Sequence, residues 1–132
     1  MRRCAAVDAN QSEIVGAARK MGFSVTVASM MGNGFPDLVL GKYGLNFLVE
    51  VKDGSKFPSQ RKLTIDEQEW HDDWQGQKCI IECLKHLEEL HELAMIMAAK
   101  MNGSYYKIPA GYADGSVVVQ RVKPTGKKGA TE

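Results

Sequence analysis

The chain has 132 residues, of which 44% are apolar and 25% are charged, and its formal net charge is +1. That length fits one domain around one hydrophobic core. The chain contains no apolar run of about 20 residues for a membrane helix. Its N-terminus turns polar before an apolar segment develops, so we expect no secretory signal and a cytoplasmic location. A nearly neutral chain is not a general polycation for nucleic acid. We further expect a globular protein with no membrane partner and no organic cofactor.

The first half of the chain predicts a helix, a strand and a hairpin. Asp8 can cap a helix over about residues 9–21, and Gly22 suits its C-terminal end. Valine-rich alternation and short apolar runs then predict three strands, the last two joined by a tight turn at residues 42–44. These strands cover residues 23–29, 37–41 and 46–52.

In the second half, Thr64 and Glu67 form a capping box that opens a second helix, which carries Trp70 and Trp74. A fourth strand, a long amphipathic helix and two late strands follow, at residues 77–83, 84–100, 105–108 and 116–122. This order predicts an α/β sandwich around a central mixed sheet. We expect residues 1–83 to form its core, residues 84–123 an extension packed on the same domain, and residues 124–132 a disordered tail.

Three chemically active side chains border the predicted hairpin. Glu50 and Lys52 are two residues apart on one strand, so they point to the same face of the sheet. Asp37 opens the neighbouring strand, and a pairing of the two strand ends would bring its carboxylate near Glu50. Two acids and an amine suit a divalent cation beside a phosphate better than they suit a dry core.

Such a group predicts metal-dependent hydrolysis of a phosphodiester. Asp37, Glu50 and the Val51 carbonyl would bind Mg²⁺ or Mn²⁺, and Lys52 would orient or help to deprotonate the attacking water. The alternative is a turn-forming Asp after a proline, with an exposed Glu–Lys pair on an edge strand. The next loop offers either phosphate contacts or a merely solvated basic surface, through Lys56, Arg61 and Lys62.

Several segments resemble the VRR-NUC family, a branch of the PD-(D/E)xK nucleases. They are Gly32–Asp37, Glu50–Gly54, and Leu63–Thr64 with Gln68, Trp70 and His71, and the resemblance covers residues 7–83. It implies a restriction-endonuclease-like core and a structure-specific DNA endonuclease that needs Mg²⁺ or Mn²⁺. It further implies branched DNA, such as a Holliday junction or a flap, as substrate, and a homodimer that acts in a bacterial or phage-infected cell.

The same resemblance carries over the three central residues and adds further candidates. Glu13 matches an acid that the first helix turns toward the metal, and Gln68 matches a polar catalytic residue on the helix behind the site. Each could instead be a solvated polar residue on its helix. Asn33, between two glycines, could let DNA approach or simply make the turn. A catalytically inert DNA-binding or protein-assembly module on the same fold is the alternative function.

The remaining chemically distinctive residues have plainer interpretations. Trp70 and Trp74 lie four residues apart on a helix and are interpreted as core anchors rather than as platforms for bases. The three cysteines fit no paired zinc pattern, and we expect them to be free thiols, since cytosolic proteins seldom keep disulfides. These cysteines are Cys4, Cys79 and Cys83.

Overall fold

The structure, a computed structural model, describes residues 3–102, 105–107 and 120–122, with side chains over residues 10–102. The helices are α1 (Arg3–Lys20), α2 (Ile65–Asp73) and α3 (Leu84–Lys100). The strands are β1 (Ser24–Val27), β2 (Leu38–Lys42), β3 (Leu45–Val51), β4 (Lys78–Ile81), β5 (Tyr105–Lys107) and β6 (Gln120–Val122). This order confirms the predicted α/β class.

Four strands form one mixed sheet in the order β1-β2-β3-β4. The pairs β1–β2 and β2–β3 are antiparallel, whereas β3 and β4 are parallel. A parallel pair needs a long crossover, and α2 lies within it. The sheet therefore places the ends of β3 and β4 side by side, at the edge where the predicted catalytic residues lie.

A two-residue turn fixes the register of the β2–β3 hairpin. Tyr43 and Gly44 have φ values of 59° and 78°. Positive φ at both central residues defines a type I′ turn, whose twist matches that of the flanking strands. As a result Leu40 lies opposite Phe47 and Leu38 lies opposite Val49.

The hydrophobic core occupies one face of the sheet. Alternate residues of β3 point into it and are buried there with side chains from α1 and α3, namely Leu45, Phe47, Val49 and Val51 with Ile14, Ala18, Leu87 and Ala94. Each large apolar side chain buried in this way contributes about 1.5–3 kcal/mol. Glu50, on the opposite face of β3, and Lys52, directly after the strand, point toward α2. The molecule thus has three layers, with α1 and α3 below the sheet and α2 above it.

The first helix begins earlier than the sequence predicted. It starts at Arg3, so Asp8 lies inside the helix and the predicted cap at that position is wrong. Ala5 and Ala6 have the highest helix propensity, and no breaker stands between Arg3 and Asp8. The C-terminal end is as predicted, because Gly22 adopts a φ of 94° just after the helix.

The later elements agree more closely with the sequence pattern. The capping box at Thr64 and Glu67 is present in both directions, and α3 has its predicted bounds. The late strands β5 and β6 pair antiparallel, whereas residue 108, residues 116–119 and the predicted tail 124–132 lie outside the described residues. Cys79 and Cys83 are free, as expected. Among the described residues, none of the helices has the length and apolarity needed to span a membrane.

Candidate metal-binding active site

Asp37 and Glu50 face each other across the β2–β3 hairpin. The register places Leu38 opposite Val49, and one further step places Asp37 opposite Glu50. Cross-strand neighbours of this kind have Cβ atoms about 4.5–5.5 Å apart. The Val51 N–H donates to Asp37 Oδ2 at 2.9 Å, which fixes the Asp37 carboxylate at the strand end. The structure therefore brings the two acids together as the sequence predicted.

Lys52 completes the group on the same face of β3. Its Nζ lies 3.6 Å from Glu50 Oε2 and 2.8 Å from Glu67 Oε1. The Lys52 carbonyl accepts a hydrogen bond of 2.8 Å from Asn10 Nδ2 on α1. Two helices thus hold the lysine at both its backbone and its ammonium group.

Glu50 is buried with an unsatisfied carboxylate oxygen. The residue is only 3% exposed, and its Oε1 has no hydrogen-bond partner among the described residues. Burial, the negative charges of Asp37 and Glu67 and a hydrogen bond with Glu67 together raise the pKa of Glu50 to about 8, against the opposing charge of Lys52. A buried carboxylate without a full set of partners costs stability, which is typical of a site built to receive a cation.

Asp37 is perturbed in the same direction. Burial raises its pKa above the ordinary value, although the hydrogen bonds with Val51 and Glu50 act against the shift. The negative charge of Asp37 in turn raises the pKa of Glu50, so the two carboxyl groups do not readily ionise together. A divalent cation between them would remove that repulsion.

Glu67 is the site residue that sequence reasoning missed. Its Oε1 accepts hydrogen bonds from Lys52 Nζ at 2.8 Å and from the Thr64 N–H at 2.9 Å. Burial alone would raise the pKa of Glu67, but the hydrogen bonds from Lys52 and Thr64 outweigh it and lower the pKa. The signal was present in the sequence, because Glu67 lies three residues before Trp70 on the helix face that turns toward the sheet.

The ion pair between Lys52 and Glu67 also sets the protonation state of Lys52. Burial alone would lower its pKa, but the hydrogen bond and the charge of Glu67, together with the charge of Glu50, outweigh burial and raise the pKa. Lys52 is therefore held as an ammonium ion. In this state it can donate hydrogen bonds and stabilise negative charge, but it cannot accept a proton.

Two predicted site residues are not brought to this group. Gln68 is exposed and donates to Asp72 Oδ1 at 2.8 Å on its own helix. Successive helical residues point about 100° apart, so when Glu67 faces the sheet Gln68 cannot. Glu13 is exposed on α1, and no hydrogen bond or ion pair links its side chain to Asp37, Glu50 or Lys52 in the described part of the chain. Their predicted roles have no geometric support here.

The predicted nucleic-acid contacts lie on two loops. Asn33 is exposed in the loop before Asp37 and has a φ of 56°. Lys62 is exposed, and Lys56 is half-buried. Arg61 is engaged within the protein, since its Nη1 lies 2.9 Å from Glu82 Oε1 and its Nε donates to the Lys56 carbonyl at 3.0 Å. Of the three basic residues, Arg61 thus has a structural contact already.

The loop between β1 and β2 positions α2 over the site. Gly34 has a φ of 79°, and a Cβ atom there would lie 2.2 Å from the Asp66 carbonyl oxygen. The Phe35 ring packs edge-on against Trp70, with centroids 5.6 Å apart.

Trp70 stacks in turn on Trp74, with centroids 5.0 Å apart. Because Trp74 is 41% exposed, its interpretation as a core anchor was wrong.

The donor set fits a divalent cation such as Mg²⁺ or Mn²⁺. The carboxylates of Asp37 and Glu50 offer the hard oxygen atoms that such cations prefer. Glu50 Oε1 has no hydrogen-bond partner among the described residues, so it can contact a cation. No three His, Cys, Asp or Glu side chains of the described residues form a metal-binding group on their own. Mg²⁺ typically takes one or two carboxylates and completes its shell with water and substrate oxygens.

Comparisons of the chain with protein-family models, with curated proteins and with solved structures find no match. The resemblance carried by the sequence motifs therefore stays a prediction. The function has to be argued from the geometry of the site.

Proposed function

We propose that this protein is a metal-dependent endonuclease of the PD-(D/E)xK type that hydrolyses phosphodiester bonds in branched DNA. The observation that carries the proposal is a buried Glu50 carboxylate, opposite Asp37 and beside the Lys52 ammonium, with one oxygen left without a partner. In a purely structural role this arrangement would only cost stability. The arrangement has a function when a divalent cation and a phosphate group of the substrate occupy the site.

Each residue of the site has a distinct part in the proposed reaction. Asp37 and Glu50 would hold the cation, with the Val51 carbonyl as a further candidate ligand. Lys52, held as an ammonium ion by Glu67 at 2.8 Å, donates hydrogen bonds to the attacking water or to the phosphate and stabilises the negative charge that develops there. A bound Mg²⁺ or Mn²⁺ supplies Lewis-acid chemistry and lowers the pKa of a coordinated water.

Glu67 acts as a positioning residue rather than as a ligand. Because its Oε1 already accepts hydrogen bonds from Lys52 and from the Thr64 N–H, it ties the lysine to the first turn of α2. The exact position of an ammonium group strongly affects its stabilisation of a transition state. Displacement of α2 would therefore reduce activity without removing any ligand.

A cleavage assay tests the proposal. The full chain is incubated with Mn²⁺ and labelled duplex, flap, splayed-arm and four-way substrates. We expect metal-dependent cutting of the branched substrates, a loss of at least about a hundredfold in Lys52→Ala, and a smaller loss in Glu67→Gln. Glu69→Gln is the matched control, since Glu69 is an exposed acid on the same helix.

The rival function is an inert module that binds DNA or assembles proteins through the same fold. It predicts binding without cutting, and no dependence on Lys52. Branched DNA bound at low salt but left intact with Mn²⁺ would favour that module over the nuclease. A homodimer, which the motifs imply, suits paired cuts in a four-way junction and stays a prediction to be measured by light scattering.

A further inference from the structure

The loop of residues 53–63 leaves the sheet at the catalytic edge. The Lys52 N–H donates to the Ile81 carbonyl, and the Gly54 N–H donates to the Glu82 carbonyl, each at 3.0 Å. A Cβ atom at Gly54 would lie 2.8 Å from the Glu82 oxygen, so glycine allows this close approach. The start of the loop is therefore pinned to the end of β4, beside Lys52.

Hydrogen bonds and an ion pair hold both ends of this loop in place. Asp53 Oδ1 accepts hydrogen bonds from the Ser55 N–H at 2.9 Å and from the Ser55 hydroxyl at 2.6 Å. Arg61 ties the far end to Glu82 and also donates to the Lys56 carbonyl. The Gln60 N–H donates to the Phe57 carbonyl at 2.8 Å. Such a loop presents its tip in a defined position, at little further entropic cost when a ligand binds.

The tip carries a large aromatic side chain in solvent. Phe57 is 71% exposed and lies between Lys56 and Lys62 in a segment, residues 54–65, that contains no acidic residue. Because the Phe57 ring lies largely in solvent, its face is accessible to a ligand. An exposed aromatic ring with basic residues nearby in the sequence is a combination that can bind unpaired bases, through stacking on the ring and through phosphate contacts.

We propose that Phe57 stacks on an unpaired or unstacked base at the branch point of the DNA. This inference rests on the proposed nuclease function and deepens it, because it names the feature of the substrate that is recognised. Phe57 is five residues from Lys52, so the two lie within about 18 Å of each other along the chain. A separation of at most about 18 Å corresponds to no more than about five nucleotide steps along one strand, at about 3.4 Å each. Proteins that bend DNA commonly insert apolar side chains between neighbouring base pairs, which unstacks them in part.

The test measures binding in EDTA, so that cleavage plays no part. The full chain is titrated into three fluorescently labelled DNAs: a flap, the same flap with abasic nucleotides at the branch point, and a paired duplex. We expect Phe57→Ala to weaken binding to the flap about tenfold and to leave binding to the abasic flap and the duplex unchanged. Phe57→Trp should retain the preference for the flap.

Two controls separate stacking from other effects. Trp74→Ala removes another exposed aromatic ring, outside the loop, and should leave the preference for the flap unchanged. Phe57→Leu keeps apolar bulk without a π face and should bind the flap almost as weakly as Phe57→Ala. Equal losses on all three DNAs, or no loss on the flap, would overturn the proposal. Because binding is read without metal, failure of the nuclease assay would leave this result interpretable by itself.

Discussion

At the residue scale, the buried Glu50 carboxylate costs stability, and the proposed metal site gives that cost a purpose. Its carboxylate is almost fully buried, faces a second acid and has one oxygen without a partner. Replacing such a group by a neutral one commonly stabilises a protein, and active sites commonly hold groups of this kind. If Glu50 serves to bind a cation, its buried charge should lower the free energy of unfolding of the metal-free protein.

The first prediction concerns the pH dependence of that stability. Glu50 has a pKa of about 8 in the folded state against an ordinary value of 4.5, so the folded state binds the proton more tightly than the unfolded state. Its contribution is fully present below about pH 4.5 and is lost as the pH rises through about 8. Urea unfolding in EDTA from pH 5 to pH 9 should show this component of the free energy decreasing. The Glu50→Gln variant should lack it, and an identical slope in both proteins would contradict the prediction.

The second prediction concerns the same substitution at fixed pH. Glu50→Gln should raise the free energy of unfolding of the metal-free protein at pH 9 by about 1–3 kcal/mol, because it removes the buried charge. At pH 5, where the wild-type carboxyl is protonated, the two proteins should differ little. Thermal unfolding in EDTA at both pH values measures the change. A variant less stable than wild type at pH 9 would mean that the Glu50 charge stabilises the fold.

Sequence reasoning found three of the four residues at this site. Strand alternation is strict, so Glu50 and Lys52 had to share a face, and a tight hairpin then brought Asp37 opposite. Glu67 was recognised only as a helix cap, and Gln68 was chosen instead from the family resemblance. A helix offers several faces, and only packing decides which one meets the sheet.

At the scale of elements, the placement of α2 depends on a glycine in another loop. Gly34 lets its backbone approach the Asp66 carbonyl, at the first turn of the helix that carries Glu67. Its positive φ adds a second reason for glycine. The spacing of glycines in the sequence predicted a turn, but a close contact with a helix thirty residues later could not be deduced from local pattern.

The third prediction uses this contact. Gly34→Ala should destabilise the protein by about 2–4 kcal/mol, since it combines a backbone clash with strain at positive φ. It should also reduce cleavage by displacing Glu67. Gly32→Ala is the matched control, with a φ of 74° and no atom within 4 Å of an added Cβ, and should cost only about 1 kcal/mol. Urea unfolding compares the two, and equal losses would disprove the helix contact.

The fourth prediction concerns the cap of α2. Thr64→Ala removes the hydroxyl that accepts the Glu67 N–H and should cost about 1 kcal/mol, whereas Thr64→Ser should cost much less. Both keep the backbone N–H that donates to the Glu67 carboxylate. Guanidinium unfolding of the pair measures the difference. A Thr64→Ser variant as unstable as Thr64→Ala would show that the methyl group, rather than the hydroxyl, stabilises the helix.

At the scale of the whole molecule, β3 has an apolar face toward α1 and α3 and a polar face toward α2 on the other side of the sheet. The odd residues of β3 lie in the core with α1 and α3, while Glu50 and Lys52 face α2. Strand alternation was enough to predict that Glu50 and Lys52 share the face opposite Val49 and Val51. It did not predict that α3, assigned to an extension, would bury Leu87, Leu90 and Ala94 in the same core cluster. Which face a long amphipathic helix covers depends on contacts far apart in the chain.

The most direct test is a calorimetric titration of Mn²⁺ into the full chain at pH 8. If Asp37 and Glu50 bind one ion together, the wild-type protein should release heat with a stoichiometry of one, and Asp37→Asn should abolish that heat. Asp66→Asn, which changes an exposed acid on α2, should bind Mn²⁺ like the wild type. Equal heats in wild type and Asp37→Asn would contradict the proposed metal site, and the nuclease mechanism with it.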